Sequence, residues 1–266
     1  MESVLEEIEF LALSPNRVEV LGLLAEDSQT RSDLAAATGA SQATLGRILS
    51  DFEDRSWVER EGGKYAATAT GRLVADGFTD LLAVLEIEAD LRDIVAYLPT
   101  QEMAFDLRRL ADATITRPSQ TRPNAPVRRI LDLLEDADDW RVFSHAFNEQ
   151  SLTAIQERVT GDDRIFRGVF SRSAIDALAA DSGLRRRLAS LLDAEGAEIR
   201  IHDEEIPVAV TVADEVVHLL LRDEDGMLRA SVDTDDPAVR SWATERFDRY
   251  WRTASPVDYD EFTGRN

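Results

Sequence analysis

The chain has 266 residues, 52 acidic against 30 basic, a formal net charge of −22 and a 44% hydrophobic share, enough for a buried core. At roughly 150 residues per domain this length suggests two domains. There is no cysteine, which excludes disulfide scaffolds, thiol catalysis and cysteine-ligated metals. His145, His202 and His218 are the only histidines and leave little material for a histidine metal site, so no metal and no cofactor are expected. No apolar run reaches the ~18 residues of a membrane span, and Met1-Glu2-Ser3 begins no secretion signal. The expected location is the cytoplasm, with no membrane partner.

The acid excess has two readings. One is a chain that avoids or mimics nucleic acid, because nucleic-acid binders are normally basic. The other is adaptation to a very salty cytoplasm, where the Debye length falls to about 3 Å at 1 M and carboxylates repel little. Lys64 is the only lysine and every other basic residue is arginine, which favours the second and predicts better folding in molar KCl than in dilute buffer.

Ser14-Pro15 reads as a helix start, with serine as cap and proline at the first helical position. Val18, Leu21, Leu24 and Ala25 then recur at helical spacing. Thr30-Arg31-Ser32-Asp33 fits a capping box for a short helix that Gly39 ends. Ser41 caps a third helix with Leu45, Ile48, Leu49 and Phe52 inward. Trp57–Arg60 and Lys64–Ala67 flank Glu61-Gly62-Gly63 as a small hairpin. Three helices followed by a hairpin describe a winged helix-turn-helix over residues 1–76.

The third helix then turns Gln42, Thr44, Arg47 and Ser50 outward. Gln suits adenine, Arg suits guanine, and Thr suits a phosphate or a thymine methyl. Residues 28–50 carry a net charge of +1 and residues 64–75 a net charge of +2. The candidate DNA-binding set is Arg31, Ser41, Gln42, Thr44, Arg47, Ser50, Arg60 and Lys64, with Arg60 and Lys64 expected at phosphates.

Residues 77–126 read as a long linking helix and a basic linker. The helix is expected over 78–98, ending before Pro99. Val84, Ile87, Leu91, Ile94 and Leu98 alternate steps of three and four, the spacing of a pairing seam, and make a homodimer the favoured state. Residues 108–131 hold six arginines against Asp112 alone, a net of +5, interrupted by Pro118, Pro123 and Pro126. Those arginines either pair with surrounding carboxylates or meet an anion.

From residue 127 short apolar strands are expected at 140–144, 164–170, 197–202, 207–213, 216–222 and 227–233. Helices fall near 149–160, 173–195 and 236–253. This is an α/β domain over 127–266 whose first strands, joined by helical crossovers, run parallel. Ligands settle beyond the carboxyl ends of such strands. There lie Ser144, His145, Asn148, Ser171, Arg172 and His202, with Arg167 and Arg200 in reach, a candidate pocket for a small effector, with an anion favoured by the helix starts and arginines. His218, among Val216, Val217, Leu219 and Leu220, reads as structural.

His202-Asp203-Glu204 resembles the start of the phospholipase D motif, His-x-Lys-x4-Asp. Glu204 stands at the lysine position and Ala209 at the aspartate position, so the motif fails twice. No P-loop, dinucleotide fingerprint or serine–histidine–acid arrangement is present, and no enzyme is expected.

Five phrases carry a family resemblance: Ser14-Pro-Asn-Arg-Val-Glu-Val-Leu21, Thr44-Leu-Gly-Arg-Ile-Leu49, Trp57-Val-Glu-Arg60, Leu110-Ala-Asp-Ala-Thr114 and Ala125-Pro-Val-Arg128. The chain resembles the winged helix-turn-helix transcriptional regulators of haloarchaea whose C-terminal sensor domain is of the methanogenesis-regulator type. That domain is a degenerate phospholipase-D-like fold, and the TrmB-type regulators are more distant relatives. The resemblance implies an α+β chain that binds double-stranded DNA site-specifically as a homodimer and responds to a small molecule. A protein-interaction adaptor and a phosphodiesterase-like enzyme are the rival readings.

Overall fold

The computed structural model describes residues 2–147, 149–161 and 164–257, and the chain divides into two compact units, residues 1–88 and 89–266. Unit 1 runs α1 (Glu2–Ala12), α2 (Pro15–Glu26), β1 (Gln29–Thr30), α3 (Arg31–Thr38), α4 (Gln42–Asp54), β2 (Val58–Glu61), β3 (Lys64–Ala67) and α5 (Ala69–Leu91). The three strands form one antiparallel sheet in the order β1-β3-β2. Local chemistry sets the boundaries. Thr30 and Asp33 close a reciprocal capping box on α3, and Gly39 at φ 67° ends that helix in the left-handed conformation open to glycine. Ser41 caps α4 by accepting the Thr44 N–H at 3.1 Å. Ser14 departs from expectation: it precedes Pro15 at the start of α2 but makes no side-chain cap bond.

The core of unit 1 is Leu21, Leu24, Leu34, Leu45, Ile48, Leu49 and Phe52, the inward positions that helical periodicity marked. Helix α1 had no counterpart in the sequence reading. It docks through Phe10, whose ring meets Phe52 and Trp57 edge-on, each at 6.1 Å between centroids. The guanidinium groups of Arg17 and Arg55 cover the same ring at 3.9 and 3.7 Å.

The linking helix differs from expectation in both bounds. It begins at Ala69 and stops at Leu91, followed by a short 3₁₀ turn over Val95–Tyr97. Leu91 is the last residue of the α-helix and Ile94 stands in the turn before the 3₁₀ segment. The expected seam is accordingly split. Leu91, Ile94 and Leu98 are buried, whereas Val84 is exposed and Ile87 half-buried.

Unit 2 contains β4 (Thr114–Thr116), α6 (Ala125–Asp136), β5 (Asp139–Ser144), α7 (Glu149–Gly161), β6 (Ile165–Ser171), α8 (Arg172–Ala180), α9 (Ser182–Leu192), β7 (Ala197–His202), β8 (Ala209–Ala213), β9 (Val216–Arg222), β10 (Leu228–Thr234), α10 (Pro237–Thr253) and β11 (Ser255–Pro256). They build one sheet in the order β11-β7-β6-β5-β8-β9-β10-β4. Strands β5, β6 and β7 pair parallel and the remaining neighbours antiparallel. Alternation along β5 separates the two faces. Phe143 meets Tyr250 of α10 on one side, while Val142 and Ser144 face α6 and α7 on the other.

The basic stretch is not a free connector. Its residues 114–116 form the edge strand β4 against β10. Arg108 pairs with Asp106, Arg109 with Asp236, Arg128 with Asp132 and Arg129 with Asp233. Arg108 holds the exposed Asp106 carboxyl down to a pKa of about 2. Of the two roles open to these arginines, pairing with nearby carboxylates describes four of the six.

Candidate functional site

Helix α4 is strongly two-sided. Leu45, Ile48, Leu49 and Phe52 are buried, and Ser41, Gln42, Ala43, Arg47 and Ser50 are exposed. The Ser41 hydroxyl also bonds the Thr44 hydroxyl at 2.9 Å, so these two groups first hold the helix start in place. Arg31 is engaged elsewhere than expected. It donates to the Gln42 carbonyl and lies across Gly46, where an added Cβ would stand 2.8 Å from its guanidinium nitrogen. Arg31 therefore locks α3 to α4 and is not a freely projecting cation. A glycine inside a helix, at about 1 kcal/mol against alanine, is the sequence signal for this close approach.

The hairpin β2–β3 turns at Gly62 and Gly63, both with positive φ. Lys64 and Arg60 are exposed there, with Arg60 leaning 5.3 Å from the Tyr65 ring. Glu59 and Glu61 flank Arg60 and are exposed too. Strand β2 thus carries both signs of charge, and the positive balance rests on Lys64 and Arg72.

In unit 2 the residues expected to form one pocket do not converge. Strand register pairs Ser144 with Phe170 and Phe170 with Ile201, on the face toward α6 and α7. Arg167, Arg200, Ser171 and His202 occupy the alternate positions of β6 and β7 and belong to the opposite face. Arg200 pairs with Glu198 at 2.8 Å and stacks over Trp251 at 4.1 Å. His202 is fully engaged: Nδ1 lies 3.1 Å from the Glu204 carbonyl and Nε2 lies 3.1 Å from the Thr253 hydroxyl. A ring held at both nitrogens is no free nucleophile. Ser171 caps α8, and Arg172 pairs with Asp203 at 2.8 Å. Asn148 lies outside the described residues. His145 lies beside Arg222; burial, and then the Arg222 charge, hold its pKa below the ordinary histidine value.

What unit 2 does assemble is a partly open cavity of about 70 Å³ between the sheet and helices α6 and α7. Ile130, Leu134, Phe147 and Phe170 give it apolar walls, and Ser144, Thr211, His218 and Arg222 bring polar atoms to it. His218 is 1% exposed. Its Nδ1 donates to Asp233, whose other oxygen accepts from Arg129 Nε at 2.6 Å. Its Nε2 is buried with no hydrogen-bond partner among the described residues. His218 lines this pocket and is otherwise held in the core through Asp233, in keeping with a structural role.

No curated protein matches the chain. Residues 5–90 match the family model of the HVO_A0261 N-terminal domain, and residues 123–253 match that of the methanogenesis regulatory protein FilR1, middle domain. The second matched segment starts just before α6 and ends with α10, so it holds the whole cavity, while β4 falls between the two matches. Among solved structures, TrmBL2, an archaeal chromatin protein whose structure shows a novel mode of DNA binding, is 16% identical at a TM-score of 0.44, covering 86% of this chain and 88% of its own. Nuc from Salmonella typhimurium, a phospholipase D family member, is 12% identical at a TM-score of 0.44, over 55% of this chain and 98% of its own. NucT from Helicobacter pylori is 9% identical at 0.43, with the same coverage. Among the described residues no helix is long and apolar enough to cross a membrane.

Proposed function

We propose that this protein is a site-specific transcriptional regulator that binds double-stranded DNA through α4, with the β2–β3 hairpin at the phosphates. The observation that carries the reading is the two-sidedness of α4: it is anchored by four buried apolar residues while Gln42, Arg47 and Ser50 project into solvent. Short polar groups and one unpaired-length cationic arm at the start of an exposed helix suit a major groove. The description of the family matched over residues 123–253, a methanogenesis regulatory protein, agrees with it. The charge of −22 is read as adaptation to high salt, where phosphate contacts lose counterion-release advantage and base contacts carry more of the specificity.

The test is selection of binding sites from random duplex DNA by the purified protein in molar KCl, followed by affinity measurement. Arg47→Ala is expected to weaken the selected site by about 1–3 kcal/mol and to relax the sequence at one position. An unchanged affinity removes Arg47 from the interface.

The same reading includes a homodimer, because paired half-sites need two recognition helices. Leu81, Leu82, Val84 and Leu85 are exposed along α5, and the pairing surface is assigned to them in place of the buried Leu91, Ile94 and Leu98. Sedimentation of Leu85→Asp should then show a monomer that keeps its fold; an intact dimer clears this stretch. The second unit is assigned the effector site. Catalysis is not part of the proposal, since His202 is held at both ring nitrogens.

A further inference from the structure

Gly46 stands where a helix has little use for a glycine. It lies inside α4, four residues after Gln42 and four before Ser50, and so shares their outward face. Its backbone is not left-handed, and glycine is among the poorest helix formers. What it provides is space. A Cβ there would stand 2.8 Å from a terminal nitrogen of Arg31 and 3.3 Å from the guanidinium carbon. The guanidinium lies in that space and donates to the Gln42 carbonyl.

The guanidinium is held there against several forces. The start of a helix is the positive end of its dipole and favours anions, yet a cation lies on the first turn of α4. Its hydrogen bond among the described residues goes to a carbonyl and not to a carboxylate. Asp33, two residues along, bonds Thr30 instead. The Arg31 Nε is buried with no partner among the described residues, a state native interiors rarely leave. Holding α3 to α4 does not require this arrangement, because Leu34 and Leu45, both fully buried, already join the two helices in one core. What Arg31 adds is local to Gln42, the exposed first residue of α4, whose backbone it grips.

We propose that Arg31 and Gly46 act as one positioning pair for base recognition: the bare position 46 admits the Arg31 guanidinium, which fixes the first turn of α4 and so aims Gln42 at its base. Arg31 is a positioning residue that acts through Gln42. Arg47 projects from the next turn and is exposed without such support. The inference rests on the reading of α4 as the recognition helix. A parent protein that selects no site from random duplex DNA would end that reading before any variant is compared.

Sites are selected in molar KCl with the full chain and with Gln42→Ala, Arg47→Ala, Arg31→Ala and Gly46→Ala, and each protein's affinity for the parent site is measured. The first two variants mark the base pairs that Gln42 and Arg47 read. Arg31→Ala and Gly46→Ala are expected to relax the Gln42 base pair alone, to keep the Arg47 base pair, and to weaken the parent site about tenfold, within the range of one base contact. Gly46→Ala should do this with a Tm at or above the parent's, since alanine favours the helix and the group it displaces is the movable end of a side chain. A double-mutant cycle separates this from obstruction of the DNA by the new methyl group. With Arg31 already replaced by alanine, Gly46→Ala should cost no further affinity, whereas an obstructing methyl costs the same in both backgrounds. The proposal is overturned if Gly46→Ala keeps the parent's motif and affinity, or if Gln42→Ala leaves the motif unchanged. It is equally overturned if Arg31→Ala and Gly46→Ala relax both base pairs alike, as a loosened fold would, or if their losses add in full.

Discussion

Replacing Asp233 by Ala is expected to destabilise the second unit by about 3 kcal/mol, the lower end of what breaking a buried charge pair costs. Asp233 is 4% exposed and joins two partners at once, the imidazole of His218 and the guanidinium of Arg129 at 2.6 Å. Its removal strands the 1%-exposed His218 with both ring nitrogens unpaired. Arg129 suffers less, because its side chain is 37% exposed and water can take over; this places the estimate at the low end. Asp233→Asn keeps an acceptor toward one partner and should cost about 1–2 kcal/mol. Urea unfolding followed by tryptophan fluorescence measures both. A loss under about 0.5 kcal/mol for the alanine variant, the size of an ordinary surface change, would mean that the three residues do not act as a unit.

Phe52→Ala is expected to cost about 3–5 kcal/mol, the range for truncating a large buried aromatic. Phe52 is fully buried and lies against Phe10 and Trp57, at 6.1 and 6.0 Å between ring centroids. It ties α1, α4 and the start of the hairpin together. The effect should extend to DNA, because Phe52 shares α4 with Gln42 and Arg47 and anchors the helix that carries them. Denaturation midpoint and affinity for a selected site should fall together. A variant that binds DNA as tightly as the parent while losing this much stability would show that α4 is not the reading helix.

The contrast between these two sites shows what a sequence discloses. The contacts of Phe52 follow from helical periodicity and caps that are local, and Thr30, Asp33, Gly39 and Ser41 all take the roles their spacing implies. Six of the eight strands of unit 2 fall within a residue or two of the apolar runs, because period-two alternation is also local. The single helix expected over 173–195 breaks where Asp181 caps a new start through the Gly183 and Leu184 N–H groups, a cap signal present in the sequence but not used. Helices α1 and α6 and strands β1, β4 and β11 have no counterpart in the sequence pattern; α1 and β1 show why. The first is acid-rich and offers only Phe10 and Leu11 to the core, and the second has two residues whose pairing to β3 is tertiary.

The candidate pocket was less legible for a definite reason. Grouping residues by the carboxyl ends of strands ignores the face each one takes. Arg167, Arg200 and His202 share those ends with Ser144 but belong to the other side of the sheet. The His218–Asp233–Arg129 unit joins residues 15 and 104 positions apart, and no local pattern announces such a meeting. Only the register of β9 against β10, which sets Asp233 opposite His218, brings it into being.

Reading of specific DNA sites by α4 in the cell is measured by chromatin immunoprecipitation with sequencing, in the cells the protein comes from and with Arg47→Ala as the paired control. Discrete peaks sharing one two-fold symmetric motif are expected, with most of them lost in the variant. Uniform background, or peaks unchanged by Arg47→Ala, would contradict it.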